Sequence, residues 1–566
     1  MSIIQKQLRT AFGAAIRDAY SIDADPLLAT TGTDKFGDYQ CNAAMAIAKQ
    51  LKLRPRDVAE KIKSCVDLAG MAEKLEIAGP GFINIHLSSA WLATKLNQIA
   101  ADPRLGIEKT ANPQRVVIDY PGINVAKEMH IGHLRPSNIG DAIARIIEFT
   151  GETVIRQNHI GDWGTAFGML LAYMQEDAGK NDAALAQIDQ FYKAAKQRFD
   201  SDPAFADEAR ATVVRLQAGG ADELARWRKI VDISRHHMLE VLHLMSVQIT
   251  QADERGESFY NPMLADVVAQ LRAKGVAEES EGAIVVWVKP FETPLIIQKR
   301  DGGFGYGTTD LAALRFRTTE LKADRLVYVT DNRQRQHFLQ FTDAGRRAGW
   351  FGNAGYDHVM FGTILGPDGK PFKTKSGESV KLKEVLIEAI DRARAIVDAK
   401  NPELPDDQRS AIARSVGIGG VKYFDLNKDR LTDYVFDWDS MLATEGNTAP
   451  YLQYAYARTQ SIIRKSGVEV PPSAQITLGA PEEITLAKHI LRLGDVVESV
   501  AKELKPHVLC TYLYELATRF SGFFEACPVI KSEEPLRSSR LALCAVTART
   551  LATGLDLLGI EHPEQM

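Results

Sequence analysis

The chain begins on an amphipathic pattern. Ile3, Ile4, Leu8, Phe12, Ala15 and Ile16 recur at helical spacing with charged residues between them. Within the first hundred residues, GFINIHL at 81–87 is the strand-like run, and the polar stretch 101–115 reads as a linker. At 116 the pattern changes. The short apolar run VVIDY (116–120) leads to a helical face made of Ile139, Ala142, Ile143, Ile146 and Ile147, with Gly151 just past its end. TVIRQ (153–157) then follows as a second strand. This β-α-β unit is the building block of a parallel sheet. AIVVWV (283–288) and RLVYVT (325–330) are the next strand candidates. The charged segment 174–245 reads as a helical insertion between them. From about 376 onward helical patterns dominate, broken by a loop at 471–483. The chain contains no internal repeats.

Composition narrows the class. At about 100–200 residues per domain, 566 residues suggest three to five domains. A net charge of −5 excludes general affinity for polyanions, so any nucleic-acid contact has to come from local basic patches. The five cysteines are odd in number and lack a C-x-x-C spacing, which argues against a disulfide framework and a cysteine zinc site. The N-terminus is not a signal peptide, and no apolar run reaches the roughly 18 residues of a membrane span. A soluble cytoplasmic protein is expected.

The candidate chemistry starts at NVAKEMHIGH (124–133). His130 and His133, three residues apart at the predicted start of a helix, share one face, and Gly132 between them lets a flat ring approach the backbone. A strand–loop–helix junction at the carboxyl end of a parallel sheet is where such folds bind nucleotides, and the helix N-terminus adds its dipole and free N–H groups. With Lys127, the two imidazoles would stabilise charge developing on an attacked phosphate. One alternative is a pair of histidines that merely caps the helix. Another is a metal site of His130, His133 and His159, which ranks below phosphate binding because zinc pairs on helices favour i, i+4 spacing. The lysines of the loop 370–383 (Lys370, Lys373, Lys375, Lys381, Lys383), interleaved with glycines, suit a mobile loop closing on a triphosphate, although a solvated surface is the usual fate of such clusters. Tyr306 and Asp310, four apart on a helical pattern, are placed to face one site, and Asp119 sits at a strand end where it could receive an ammonium group. A planar carboxylate is the natural partner of a guanidinium fork.

These segments occur together in one recognisable order. VIDYPGINVAKEMHIGHLRPSNIGD (117–141), NHIGDWGTAFGML (158–170), YGTTDLAALRFR (306–317), DNRQRQHF (331–338), GKPFKTKSG (369–377), VGIGGVKYFDL (416–426) and FDWDSMLATEGNTAPYLQYAYAR (436–458) closely resemble the arginyl-tRNA synthetases. FGDYQCNAAMAIAK (36–49) and AGPGFINIHLS (78–88) extend the resemblance over nearly the whole chain. It implies an α/β fold: a Rossmann-type parallel-sheet catalytic domain, an α+β N-terminal domain and an all-α C-terminal domain. The expected boundaries are 1–105 for the N-terminal tRNA-contacting domain, 106–375 for the catalytic domain, 376–446 for a helical connective region and 447–566 for the anticodon-binding domain.

The resemblance also implies a reaction. Arginine is activated by ATP, with Mg²⁺ held by phosphates and water, and passed to the 3′-terminal adenosine of tRNA(Arg). Transfer is to the 2′-hydroxyl in class I, and tRNA binds first. The implied enzyme is a cytoplasmic monomer without a protein-bound metal. Carried over by motif, His130, Gly132, His133, Lys373 and Lys375 handle ATP. Tyr306, Asp310 and Gln334 hold the arginine side chain, while Asn124 and His159 lie near its amino and carboxylate groups; Asp119 is added to this set from its strand-end position alone.

Two departures stand out. Pro121-Gly122-Ile123 replaces the usual serine- and proline-containing stretch. The second class I motif is degenerate, PFKTKSG with Lys375 nearest the functional lysine, and in the family a lysine at the position of Lys127 is held to compensate. In the C-terminal region Arg458, Arg464 and Lys465 are candidates for RNA contact, whereas Tyr451 and Tyr454 read as helix-packing residues. An adenylate-forming ligase that uses no tRNA and a catalytically dead RNA-binding paralogue are the competing readings.

Overall fold

The computed structural model describes residues 3–31, 36–176, 188–372, 379–471 and 474–566. Lys373 and Lys375 lie outside the described residues. At the amino end, helix Ile3–Tyr20 and an antiparallel sheet of order β1-β2-β4-β3 form an α+β unit: β1 Leu28–Thr30, β2 Tyr39–Cys41, β3 Ala72–Ala78, β4 Phe82–Leu87. The expected strand at 81–87 is β4.

The central sheet has the order β11-β10-β5-β6, with β5 Arg115–Asp119, β6 Thr153–Gln157, β10 Arg325–Asp331 and β11 Gly355–Phe361, every pair parallel. Alternate side chains of a strand point to opposite faces, so a sheet covered on both sides reads as a continuous apolar run. In β5, Val116 and Ile118 join one core and Val117 the other. In β10, Val327 and Val329 join the first, Leu326 and Tyr328 the second. Gly140, in the crossover helix Leu134–Phe149, meets Tyr120 so closely that a Cβ there would collide with the ring. This contact sets how near the helix lies to the end of β5.

AIVVWV (283–288) is not a strand of this sheet. Its first four residues form β8 (Ala283–Val286) in a separate antiparallel sheet, flanked by β7 (Glu278–Ser280) and β9 (Leu295–Gln298). The reason is local. Glu281 and Gly282 both have positive φ (51° and 80°), the signature of a tight hairpin, which excludes the long crossover that a parallel neighbour requires. β11 was not anticipated, because Asp357 and His358 interrupt its apolar run.

After β6 come the helices Thr165–Glu176, Ile188–Ser201, Pro203–Gln217 and Ala221–Leu244, so the helical excursion begins earlier than 174. From Leu382 to the end the described regular elements are helices joined by loops, apart from the short strand β13 (Tyr434–Val435), which pairs with β12 (Ile364–Leu365). Among the described residues no helix is long and apolar enough to cross a membrane. Cys41, Cys510, Cys527 and Cys544 are buried free thiols, and Cys65 is half-buried.

One polar contact anchors the central helix. Arg135 pairs with Asp425 of helix Asp406–Leu426 at 2.9 Å, both side chains fully shielded from solvent. Arg135 also donates to the Thr432 carbonyl (3.0 Å), and Asn138 Nδ2 donates to Asp425 (3.1 Å) and to the Lys422 carbonyl (2.8 Å). Removing one partner of a buried ion pair strands the other charge. Asp425→Leu is therefore expected to destabilise the protein by about 3–5 kcal/mol, read as a fall in the denaturant midpoint. An unchanged midpoint would show that the pair contributes nothing net.

Candidate active site

The carboxyl ends of β5, β6 and β10 meet at one edge of the parallel sheet, the edge where open α/β folds bind ligands. β5 delivers Asp119 and the loop through Asn124 and Lys127 to His130. β6 delivers His159 and Asp162. β10 delivers Asp331 and the turn Asn332–Gln334. The loops interlock. Asn124 bridges to Gly161, where a Cβ would collide with Asn124 Oδ1, and the Gly122 N–H donates to Asn158 Oδ1 at 3.2 Å. Gly122 has φ +65°, so the unusual Pro121-Gly122-Ile123 stretch places glycine where the backbone is left-handed.

Ile131, Gly132 and His133 form a 3₁₀ turn ahead of the helix proper, which begins at Leu134. His133 Nδ1 accepts the His130 N–H (3.1 Å), and His130 Nδ1 accepts the Gly132 N–H (3.0 Å). The rings stack with centroids 4.0 Å apart. The remaining amides of the turn are also occupied: Ile131 N–H donates to the Val380 carbonyl (2.9 Å), His133 N–H to the His130 carbonyl (2.8 Å) and Leu134 N–H to the Ile131 carbonyl. The free helix-terminal donors expected from the sequence are thus already spent on capping. The histidines do cap the turn, and this organises their chemistry. Burial and the neighbouring His130 push His133 down to about 3. Burial, then the charges of Lys127 and Arg333, also lower His130, with Asp189 opposing. Both rings are neutral near pH 7. With each Nδ1 accepting, each Nε2 carries the proton and is the donor available to a ligand.

Lys127 is exposed, and its Nζ stands 4.2 Å from the centroid of the Tyr192 ring. The far end of the basic loop is tied down. Lys381 pairs with Glu128 (2.7 Å) and lies 3.9 Å from Asp189, Lys383 pairs with Glu240 (2.6 Å), and Leu382 N–H donates to the Met129 carbonyl (2.9 Å). Lys381 and Lys383, expected among the triphosphate-facing lysines, are engaged by carboxylates instead.

The second half of the site is built on helix Tyr306–Thr319. Asp310 Oδ2 lies 2.5 Å from His337 Nε2, and Oδ1 lies 3.7 Å from His159 Nε2. The exposed Tyr306 ring packs edge-on to His337, centroids 4.7 Å apart. Tyr306, Asp310 and His159 are therefore brought together around His337. Gln334, exposed, stands in the turn just before the helix that carries His337. Burial alone would raise Asp310, but the hydrogen bond and charge of His337, with His159 and Arg317 beyond, bring it below the usual carboxylate range. Asp119 Oδ2 is held at 2.8 Å by the fully buried Arg317 of the same helix, so this carboxylate is already partly neutralised.

The structure adds residues that sequence reasoning missed. His337 and Arg317 lie inside recognised motifs, but their roles emerge only across helix and strand. Glu257, in the short helix Glu257–Tyr260, carried no signal. Burial, together with the charges of Asp310 and Asp162, raises it to about 8. Asp162 is raised as well, chiefly by burial, while accepting from Ser258 N–H (2.9 Å) and Oγ (2.6 Å). Among the carboxylates here, Asp310 is firmly ionised and Glu257 is protonated at neutral pH. A cation with several donors suits this pocket. The large cleft of about 1450 Å³ between the N-terminal unit and the helical region, lined by Lys6, Trp91, Lys109 and Leu491, lies away from these groups.

In the helical region Tyr456 is buried and Tyr451 packs on Tyr514 (centroids 5.7 Å), but Tyr454 is half exposed rather than packed. Arg458 lies over the Phe524 ring at 4.2 Å.

Three family models match the chain: "tRNA synthetases class I (R), catalytic domain" over 95–438, "DALR anticodon binding domain" over 452–566, and "Arginyl tRNA synthetase N terminal domain" over 6–87. A protein of Cellvibrio japonicus named arginine–tRNA ligase is 52% identical over 557 residues, covering 96% of each chain. One of the same name from Laribacter hongkongensis is 50% identical over 568 residues, covering 99% of each. The crystal structure of the Plasmodium falciparum arginyl-tRNA synthetase superposes with a TM-score of 0.87 at 31% identity, covering 100% of both chains.

The capping geometry makes a direct prediction. By ¹⁵N NMR of labelled histidine, His133 is expected to stay neutral and Nε2-protonated from about pH 5 to 8, because its titration is displaced to about 3. An ordinary midpoint between pH 6 and 7 would overturn the assignment.

Proposed function

The chain belongs to the class I arginyl-tRNA synthetases, and we propose from this premise how its own residues carry the reaction. The family's activity is ATP-dependent ligation of arginine to tRNA. The arginine carboxylate attacks the α-phosphate of ATP, forming arginyl-adenylate and releasing pyrophosphate. A terminal ribose hydroxyl of tRNA, the 2′-hydroxyl in this class, then takes the acyl group and releases AMP.

His130 and His133 donate from Nε2 to phosphate oxygens as charge builds in the transition state, and Lys127 adds a positive charge beside them. Removing one such donor typically costs about 10²–10³ in rate. The observation carrying this assignment is the pair of inward-turned Nδ1 atoms. Lys373 and Lys375 are proposed as further ATP contacts on the motif alone. Asp310 pairs with the guanidinium, Tyr306 and Gln334 close around it, and Glu257 supplies a second carboxylate. Asn124 and His159 hold the amino-acid backbone. Asp119, with one oxygen held by Arg317, receives the α-ammonium. Magnesium arrives with ATP on phosphate oxygens and water, the usual arrangement for this small hard cation. The enzyme is read as a cytoplasmic monomer in which tRNA binds before arginine is activated. Its domains are read as 1–105, 106–375, 376–446 and 447–566.

Charging of unfractionated tRNA with arginine, lysine and citrulline tests the substrate assignment. Arginine is expected to be preferred by about 10⁴–10⁵, because either analogue leaves polar groups of the pocket unpaired. Comparable charging with lysine would overturn it. Glu257 makes the pocket pH-dependent. Below about 8 it is protonated, and pairing with a guanidinium costs its proton. KM for arginine is therefore expected to fall roughly tenfold from pH 7 to pH 9, and Glu257→Gln is expected to flatten that profile. A wild-type KM that stays level over this range would remove Glu257 from the pocket.

A further inference from the structure

Helix Ile188–Ser201 of the insertion lies against the loop that carries Lys127. Asp189 and Tyr192 are three residues apart on this helix and so share a face. Asp189 Oδ1 accepts the Glu128 N–H at 2.9 Å, which fixes the backbone next to Lys127. Two carboxylates are within easy reach of a flexible lysine at 127: its chain neighbour Glu128 and Asp189. Both face Lys381 instead, at 2.7 and 3.9 Å. Among the described residues no carboxylate lies within ion-pair distance of Lys127. Its ammonium rests on the Tyr192 ring, with the charge close enough to His130 to act on that imidazole.

A ring face attracts a cation without neutralising it, and at a half-exposed site the contact is weak enough to be traded for a phosphate oxygen. A carboxylate in the same place would hold the ammonium more tightly and cancel its charge. We infer that Tyr192 is a positioning residue for the adenylation step, holding Lys127 as an unneutralised cation beside the histidine pair while Lys381 occupies the carboxylates that would otherwise capture it. The insertion thereby takes part in ATP chemistry through a side chain that touches no substrate. The inference rests on the assignment of Lys127 to the ATP site.

The test is arginine-dependent ATP–pyrophosphate exchange with saturating tRNA, using the full-length enzyme. Lys127→Ala establishes the premise and is expected to lower the exchange rate by about 10²–10³. Tyr192→Leu keeps apolar volume but removes the ring face. It is expected to lower the turnover of exchange roughly 3- to 30-fold, with KM for arginine and the thermal midpoint unchanged. Tyr192→Phe, which keeps the ring, is expected to restore turnover. In the Lys127→Ala background Tyr192→Leu is expected to have no further effect. If Lys127→Ala leaves exchange intact, the premise and the inference both fall. If Lys127→Ala cripples exchange but Tyr192→Leu matches wild type, or if Tyr192→Phe is as slow as Tyr192→Leu, the inference alone falls and the assignment of Lys127 stands.

Discussion

The site is organised by two ring nitrogens that point the wrong way for catalysis. His130 and His133 each turn Nδ1 inward to satisfy a backbone N–H of the tight turn they occupy. This removes the imidazoles' only acceptor positions, fixes the tautomer and leaves one outward donor per ring. The stacked, half-buried rings stay uncharged near neutral pH and present oriented N–H dipoles. Positive charge is supplied separately, by lysine and arginine side chains around them. Such a division suits phosphoryl chemistry, where preorganised donors stabilise developing charge without reorganising at the moment of reaction.

The histidine caps are local, but the contacts that fix this turn against the rest of the chain are remote in sequence. Arg135 and Asn138, immediately after it, bury their polar groups against helix Asp406–Leu426, and Ile131 pairs with Val380 through the backbone. The same helix that grips Arg135 buries Lys422, whose ammonium donates to the carbonyls of Met245 (2.7 Å) and Gly559 (2.6 Å). The end of the helical insertion, the nucleotide-site helix and the close of the final helix therefore meet around one buried charge. The amino-acid pocket shows the same economy. Helix Tyr306–Thr319 carries Tyr306 and Asp310 at its start, and two turns on it carries Arg317, which restrains Asp119 at the end of β5.

Local chemistry was legible wherever it was written as a contiguous run. The β-α-β unit, the histidine pair and the Tyr306/Asp310 spacing each express a period of two or of about 3.6 that a short window reveals. Errors arose where one local feature outweighed the pattern. The apolar run at 283–288 does form a strand over Ala283–Val286, but two positive-φ residues at 281 and 282 fold it into a hairpin outside the parallel sheet. β11 was hidden by Asp357 and His358, polar residues that an edge strand tolerates. The basic loop promised five lysines for a triphosphate. Lys381 found Glu128 in the loop before the histidine turn and Lys383 found Glu240 on helix Ala221–Leu244, partners that no sequence window connects to them.

The sequence by itself determined the family and brought forward candidate site residues, because these rest on residue type and short-range spacing. Only the tertiary structure decided their charge states and partners. Glu257 rises to about 8 because folding partly buries it near the charges of Asp310 and Asp162, and Asp310 falls because His337 arrives from another helix. Lys127 faces a ring rather than a carboxylate because the insertion folds back over the loop. Coulomb interactions and desolvation depend on distances in space, and distances between residues tens of positions apart exist only once the chain has packed.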